Sequence, residues 1–273
     1  MRSAGVLGAA AAALAAWSLF EAQWVEEVEL EVPVAGLHPD LDCLRILHLS
    51  DFHLGTLSLN GRALGKALDW ADSRAYDLAV VTGDLLSRRR GTETLVGALA
   101  SLRAPLGTFA VLGNHDVAET RDPFSRPGDP AALDRGGAIL LADTSRVVER
   151  GSARIQVAGL SPEGWWAYRR PGDLADAGAD LRILLCHFPD VIARLRPGDF
   201  DLVLVGHLHG GQICLPHPRG KLRLEHLRAR YWEGLHWTRA GILHVSRGLG
   251  TSFVPFRFLA RPEVTVLTLR GEN

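Results

Sequence analysis

The stretch "CLRILHLSDFHLG", residues 43–55, ends an apolar run on Asp51 and His53. Leu44 to Ser50 has the length and character of a strand buried on both faces. Two further runs follow the same plan, "DLAVVTGD" (77–84) and "GTFAVLGNHD" (107–116). Between them lie "NGRALGKALDWADSR" (60–74) and "TETLVGALASLRAP" (92–105), whose apolar residues recur at helical spacing. A βαβαβ order implies parallel strands joined by right-handed crossovers, so all three strands end on one edge of a sheet. Each of them ends in a polar group.

Beyond residue 140 the chain is richer in strands, at 153–160, 180–188, 201–211, 241–250 and 262–270. This pattern predicts a second sheet packed on the first, with helices outside. Residues 117–130 read as a loop at the rim of a site. No repeat or low-complexity tract follows residue 20, so residues 28–273 read as one domain preceded by a distinct segment, 1–27.

The strand termini collect Asp51, His53, Asp84, Asn114, His115, Asp116, His187, His207 and His209. In extended chain, residues i and i+2 face one way, so Asp51 with His53, and His207 with His209, are each expected to form a bracket above the sheet, with Phe52 turned inward. Glycines at 83, 113, 206, 210 and 211 suit sharp turns and close backbone approach. Taken singly, a histidine at a strand end is usually a hydrogen-bonded surface residue, and "GD" or "GN" is usually a turn. Taken together, Asp, His and Asn without thiolate suit a divalent Mn, Fe or Zn ion, and the seven candidate ligands Asp51, His53, Asp84, Asn114, His187, His207 and His209 are too many for one centre. Two ions are implied, and two ions roughly 3.5–4 Å apart need a bridging carboxylate, for which Asp84 is the natural choice.

In order, "DFH … GD … GNHD … H … GHLH" resembles the calcineurin-like metallophosphoesterase superfamily, over nearly all of residues 44–270. The resemblance implies an α/β fold, a four-layer αββα sandwich of two mixed β-sheets flanked by helices. It implies one divalent metal ion on Asp51, His53, Asp84 and His209, and a second on Asp84, Asn114, His187 and His207. It further implies a phosphoesterase using a metal-bridging hydroxide, with His115 contacting phosphate and protonating the leaving oxygen. Asp116, adjacent, is expected to hold or tune His115. Where protein serine/threonine phosphatases of the superfamily have "GDxVDRG" and "GNHE", this chain has "GDLLSRRRG" (83–91) and "GNHD", which weakens that reading. Arg88, Arg89 and Arg90 are left either on a solvated loop or in contact with phosphate.

Residues 4–20 are uncharged and as a helix would be roughly 25 Å long, just short of a bilayer core. They predict a single N-terminal membrane anchor, since no good cleavage site follows. A cleaved signal and a buried Ala-rich helix are the alternatives. Arg2 before the segment and glutamates after it place the catalytic body outside the cytoplasm, with secretion or cytoplasmic membrane association as alternatives. "LSDFHLG", "GHLHGGQ", "SRGLG" and "RPEVTVLTL" resemble the bacterial membrane-anchored or exported phosphodiesterase branch, implying a phosphodiester or diphosphate substrate on a membrane lipid or lipid-linked headgroup. A phosphomonoesterase and a non-catalytic phosphate- or partner-binding member of the fold are the alternatives.

Apolar residues make up 47% and charged residues 22% of 273, with formal net charge −1, which leaves no nucleic-acid footprint. Cys43, Cys186 and Cys214 are too few and too scattered for a disulfide framework or a zinc knuckle. Trp165 and Trp166 are expected to be exposed, and residues 252–260 to be core. Gln212, Arg247 and Gly250 are expected near the pocket without an assigned task. His38, His48, His217, His226, His236 and His244 are read as structural.

Overall fold

Ile46 of the opening stretch is buried on one face of its strand, and Leu47 and Leu49 are buried in a different cluster on the other. That alternation generates the layers. A computed structural model of the chain describes residues 2–218 and 220–272. β1 (Glu26–Ala35), β2 (Arg45–Leu49), β3 (Leu78–Thr82), β4 (Thr108–Val111) and β5 (Ala138–Leu140) belong to a first sheet. β6 (Thr144–Arg150), β7 (Ala153–Gly159), β8 (Leu181–Leu185) and β9 (Leu202–Val205) belong to a second. β10 (Cys214–His217) and β11 (Gly220–Arg223) form a separate hairpin, β12 (Gly234–Thr238) and β13 (Gly241–Val245) join the second sheet, and β14 (Glu263–Glu272) returns to the first. The helices are α1 (Arg2–Glu21), α2 (Asn60–Asp72), α3 (Thr92–Ala100), α4 (Ala131–Arg135) and α5 (Pro162–Trp166).

The first sheet runs β1-β14-β2-β3-β4-β5 and the second β12-β13-β9-β8-β7-β6. β2 to β5 are parallel, as are β7, β8, β9 and β13, while β6 and β12 close the second sheet as antiparallel edges. Ile46, Val80 and Phe109 meet Ile155, Ile183 and Leu204 between the sheets. α2 and α3 cover the outer face of the first sheet through Leu64, Ala67, Leu95 and Leu99. The outer face of the second is covered by shorter pieces carrying Phe188, Val191 and Phe200. The result is the four-layer αββα sandwich, and because its parallel strands are apolar on both faces apart from a few buried polar residues such as His48 and His244, polar groups gather at the strand ends.

Two edge strands escape a sequence reading. β1, "EEVELEVPVA", carries a two-residue alternation that its glutamates disguise as an acidic flank, yet it pairs in parallel with β14 from Glu26↔Glu263 to Ala35↔Glu272. β6, "TSRVVER", is half-exposed and polar, as an edge strand can be.

The N-terminal segment departs from expectation. It is helical, but among the described residues no helix is long and apolar enough to cross a membrane. Alanine and glycine make up half of α1, which keeps its apolar character modest. The single anchor, and with it the membrane location and lipid-linked substrate that rested on it, are unsupported. Residues 5–17 stand exposed, and contact with the domain begins at Ser18. There Arg257 N donates to Ser18 O at 3.1 Å, Ala260 N to Glu21 Oε1 at 2.9 Å, and Arg261 lies 3.6 Å over the Trp24 ring.

Between the sheets no side chain can relax into solvent. Ile183→Ala should therefore lower stability by about 2–5 kcal/mol, against less than about 0.5 for Val147→Ala on the half-exposed β6. Urea midpoints at unchanged m-value would measure both.

Candidate active site

The expected ligands lie just beyond the strands, not on them. β2 stops at Leu49 and β9 at Val205, so the brackets are not made by strand periodicity. Instead Asp51 (φ 54°), His53 (φ 45°), Asp84 (φ 54°), His207 (φ 78°) and His209 (φ 49°) all take left-handed backbone. Each such residue costs about 1–3 kcal/mol unless its surroundings dictate it. Here they do: Asp51 N donates to Gly83 O and His53 N to Asp84 O, both at 2.9 Å, while His207 N donates to Asp51 Oδ1 at 3.1 Å. Phe52 is buried, as expected.

These turns bring the side chains together. Asp51, His53, Asp84 and His209 offer ligand atoms within 4.8 Å of one another, and so do Asp84, His187 and His207. Asp84 belongs to both groups, its Oδ2 lying 3.5 Å from His53 Nε2 and 3.1 Å from His187 Nε2. His53 Nε2 faces His209 Nε2 at 3.0 Å, and His207 Nδ1 faces His187 Nε2 at 3.1 Å. Asn114 Oδ1 is buried without a hydrogen-bond partner. Facing imidazole nitrogens, two buried carboxylates and an orphaned amide oxygen are a donor set that suits divalent metal. The space is reserved by glycine: a Cβ on Gly113 would collide with Asp84 Oδ1, and one on Gly206 with Asp51 Oδ2.

Electrostatics agree with that fit. Burial would raise Asp84 and Asp51, but the histidines around them, His187 and His115 for Asp84 and His209 and His187 for Asp51, more than offset it and hold both carboxyls below the usual range. Burial keeps His53 well down and pushes His207 down to about 3, leaving neutral imidazoles able to ligate. His187 is the exception. Burial opposes its charge, but Asp84 beside it, then Asp51, bring it up to about 9. The pocket demands positive charge.

His115 stands at the edge of the cluster, its Nε2 4.0 Å from Asp84 Oδ2, and burial lowers its pKa. Asp116 does not attend it. Its carboxylate accepts hydrogen bonds from the backbone amides of Leu85 (2.9 Å), Leu86 (2.8 Å) and Gly113 (2.9 Å), stitching the turn after β3 to the turn after β4. Burial, then the Asp84 charge, push that carboxyl up to about 7, against three donors that favour its ion. The acid facing His115 comes from the loop instead: Asp122 Oδ2 lies 3.9 Å from His115 Nδ1, and Ser125 Oγ bonds Nδ1 at 2.6 Å. Sequence adjacency suggested the wrong aspartate because neighbouring side chains in a turn diverge.

Other residues gain tasks that sequence did not assign. Ser87 Oγ holds His53 Nδ1 at 3.1 Å, and Thr82 O accepts from His187 Nδ1 at 2.8 Å. His226 lies against His207, ring centroids 5.3 Å apart. Gly250 N donates to Asp51 O at 2.6 Å, and Arg247 pairs with Glu263 and Glu26, away from the pocket. Gln212 bonds Ser252 and Val254. His48 and His244, without a partner pattern in the sequence, meet Nδ1 to Nδ1 at 2.9 Å between the sheets.

Residues 252–260 are not simply core. Arg257 is fully buried, its guanidinium donating to the carbonyls of His209, Arg247, Gly248, Gly250 and Ala260, whereas Phe253 and Val254 are exposed. Trp166 is exposed as expected, but Trp165 stacks on Phe188 at 5.3 Å and lies under Arg194.

Residues 44–211 match the calcineurin-like phosphoesterase family, and the chain belongs to it. It is 31% identical to the uncharacterized metallophosphoesterase YkoQ of Bacillus subtilis, over 81% of this chain and 82% of that protein. It is 28% identical to the phosphodiesterase YaeI of Escherichia coli, over 82% of each. It is also 28% identical to a bovine transmembrane protein with a metallophosphoesterase domain, over 89% of this chain and 56% of that one. Among solved structures, the phosphopantetheinyl hydrolase PptH of Mycobacterium tuberculosis superposes with TM-score 0.43 at 16% identity, over 77% of this chain and 91% of that one.

An asparagine at 116 has one carbonyl oxygen where the carboxylate serves amides on both sides. Asp116→Asn should destabilise the chain by about 1–3 kcal/mol. It should leave the pH profile of phosphoester hydrolysis in place, which separates a structural acid from a partner of His115. Thermal melts and kcat/KM across pH are the measurements.

Proposed function

We propose that the chain is a dinuclear-metal hydrolase of phosphate diesters. The observation that carries this reading is the sharing of one buried carboxylate, Asp84, between both ligand groups. Asp51, His53, Asp84 and His209 would hold one divalent ion, and Asp84, Asn114, His187 and His207 the other, manganese being the first to try. Ions bound there supply positive charge that acidifies water and offsets the charge building on the phosphate. The printed name of the relative YaeI, a phosphodiesterase, supports the choice of a diester.

The protein's own groups do the rest. His115 would deliver a proton to a leaving oxygen from Nε2, which faces Asp84 and also meets Thr120 Oγ1 at 3.1 Å. Ser125 on Nδ1 fixes its ring, and Asp122 favours its charged form. Two separate recesses flank the centre. One, of about 550 Å³, includes His207, His226 and Trp165 in its wall. The other, of about 460 Å³, includes Asp122 and Phe253, both against His115. A phosphate with two substituents uses both recesses, whereas a monoester uses one.

The test is hydrolysis of bis-p-nitrophenyl phosphate with added Mn²⁺. Asp84→Asn should lower bound metal and rate together, while His115→Ala should cut the rate by about 10²-fold or more with metal retained. Faster cleavage of p-nitrophenyl phosphate would replace the diesterase by a monoesterase, and absence of both turnover and metal would sink the enzyme.

The charge on Asp122 raises His115. A general acid must be protonated to act, so Asp122→Asn should move the alkaline limb of the kcat/KM profile to lower pH.

A further inference from the structure

We infer that the recess beside His115 is a subsite for an apolar, uncharged substituent of the phosphate ester, alkyl or aryl, with Arg88 and Arg90 at its outer rim. This rests on reading the Asp84 cluster as a phosphate-ester site. The recess encloses about 460 Å³, and its wall is formed chiefly by Leu57, Phe124, Phe253 and Val254. Leu57 is 90% exposed and Phe253 46%, so a ligand there removes apolar surface that folding has left in water.

The wall is built, not loose. Phe253 takes left-handed backbone (φ 57°), which a bulky residue adopts only where its surroundings impose it. They impose it from the catalytic side. Gln212 donates to Ser252 O (2.9 Å) and Val254 O (3.2 Å) and accepts from Ser252 N (3.0 Å), and it lies just past His209 in the chain. Asn60 accepts from Thr251 N at 3.1 Å and donates to His53 O at 3.1 Å. Asp122, which faces His115, also accepts from Phe253 N at 3.3 Å. The Phe253 ring meets His115 edge-on, centroids 6.5 Å apart. The apolar wall is thus tied to the backbone of two expected ligands and to the acid of the expected proton donor.

Charge makes the occupant specific. Arg88 Nε donates to Phe124 O at 2.7 Å and Arg90 Nε donates to Gly55 O, which holds both guanidinium groups at the rim. Among the described residues their terminal nitrogens make no further hydrogen bond, and these are the atoms that pair with phosphate oxygens. An apolar wall between a cationic rim and a phosphate centre fits an anion with an apolar arm. The opposite recess mixes Trp165, Phe188 and Leu227 with His207, His226, Asp190 and Arg228, so its wall is polar and apolar in about equal parts.

Binding measured without turnover tests this apart from the hydrolase reading. With Mn²⁺-loaded full-length protein, calorimetry should show hexylphosphonate and phenylphosphonate binding about tenfold or more tighter than methylphosphonate, as burial of a few methylenes or a ring requires. The hexyl and phenyl arms tell an alkyl from an aryl preference. In the double variant Leu57→Ser/Phe253→Ser, both ratios should fall to about two or below, methylphosphonate serving as the reference within each protein. Both side chains are substantially exposed, and a melting curve confirms that the variant folds. Equal affinity for all three phosphonates in the parent, or a preference that survives the double variant, would overturn the subsite. Failure of diester turnover beside an intact, Phe253-dependent preference would instead count against the hydrolase and leave the subsite standing.

Discussion

Two carboxylates, Asp51 and Asp84, are held without access to water at the junction of the two sheets, and most of the local structure serves that constraint. A buried carboxylate is tolerated only when hydrogen bonds and positive charge replace its hydration. Part of the replacement is backbone: His207 N donates to Asp51, and His115 N donates to Asp84 Oδ1 at 2.8 Å. The remainder is a ring of histidines, most of which burial holds neutral. Neutral imidazoles cannot balance two negative charges, and a proton on His187 offsets only one of them, so the pocket favours added positive charge. The left-handed turns at Asp51, His53, Asp84, His207 and His209 store backbone strain whose return is this convergence of donors.

Much of this was legible in the sequence because parallel strands buried on both faces leave polarity only at their ends. Asp51, Asp84, Asn114, His187 and His207 each follow an apolar run, and each falls within the cluster or against it. What was illegible depends on contacts between segments distant in the chain. The two-residue bracket named residues that do converge, but for a wrong local reason, since left-handed turns after the strands, and not strand periodicity, aim the side chains. Asp122 replaces Asp116 beside His115 because a loop folds back across the site, and no local period encodes that return. The alternation in β1 was present in the text, but its glutamates resembled a membrane flank. In α1, likewise, alanine supplied an uncharged run without enough apolar character to span.

The segment from Arg247 to Ala260 lies outside the region that matches the family, yet it completes the site. Arg257 is the reason it can. Its guanidinium, buried among the carbonyls of His209, Arg247, Gly248, Gly250 and Ala260, has no directly paired acid, and burial brings its pKa down to about 9. Removing the guanidinium would take a donor from all five carbonyls at once, leaving only those of His209 and Gly248 with a backbone donor among the described residues, which is a stronger constraint than any single hydrogen bond. The same residue's backbone reaches Ser18, so the end of α1, the C-terminal loop and the backbone of His209 form one connected unit.

A centre flanked by unlike recesses has a direction. The side beside His115 is chiefly apolar with arginines at its rim, and the other side mixes Trp165, Phe188 and Leu227 with His226, Asp190 and Arg228. If both sides had been polar, a phosphate could present either oxygen to His115, and proton delivery would be shared between two orientations. On the proposed reading, the more apolar wall beside His115 reduces that degeneracy, because an apolar substituent gains more burial on that side. Orientation is then set by solvation, using side chains that bear no charge, and the titrating groups are left to the phosphate. This division also explains the placement of Phe253. Tied through its backbone to Asp122 and through its neighbours to Gln212, it can shape the recess without adding a charge beside a pocket whose electrostatic balance is already set.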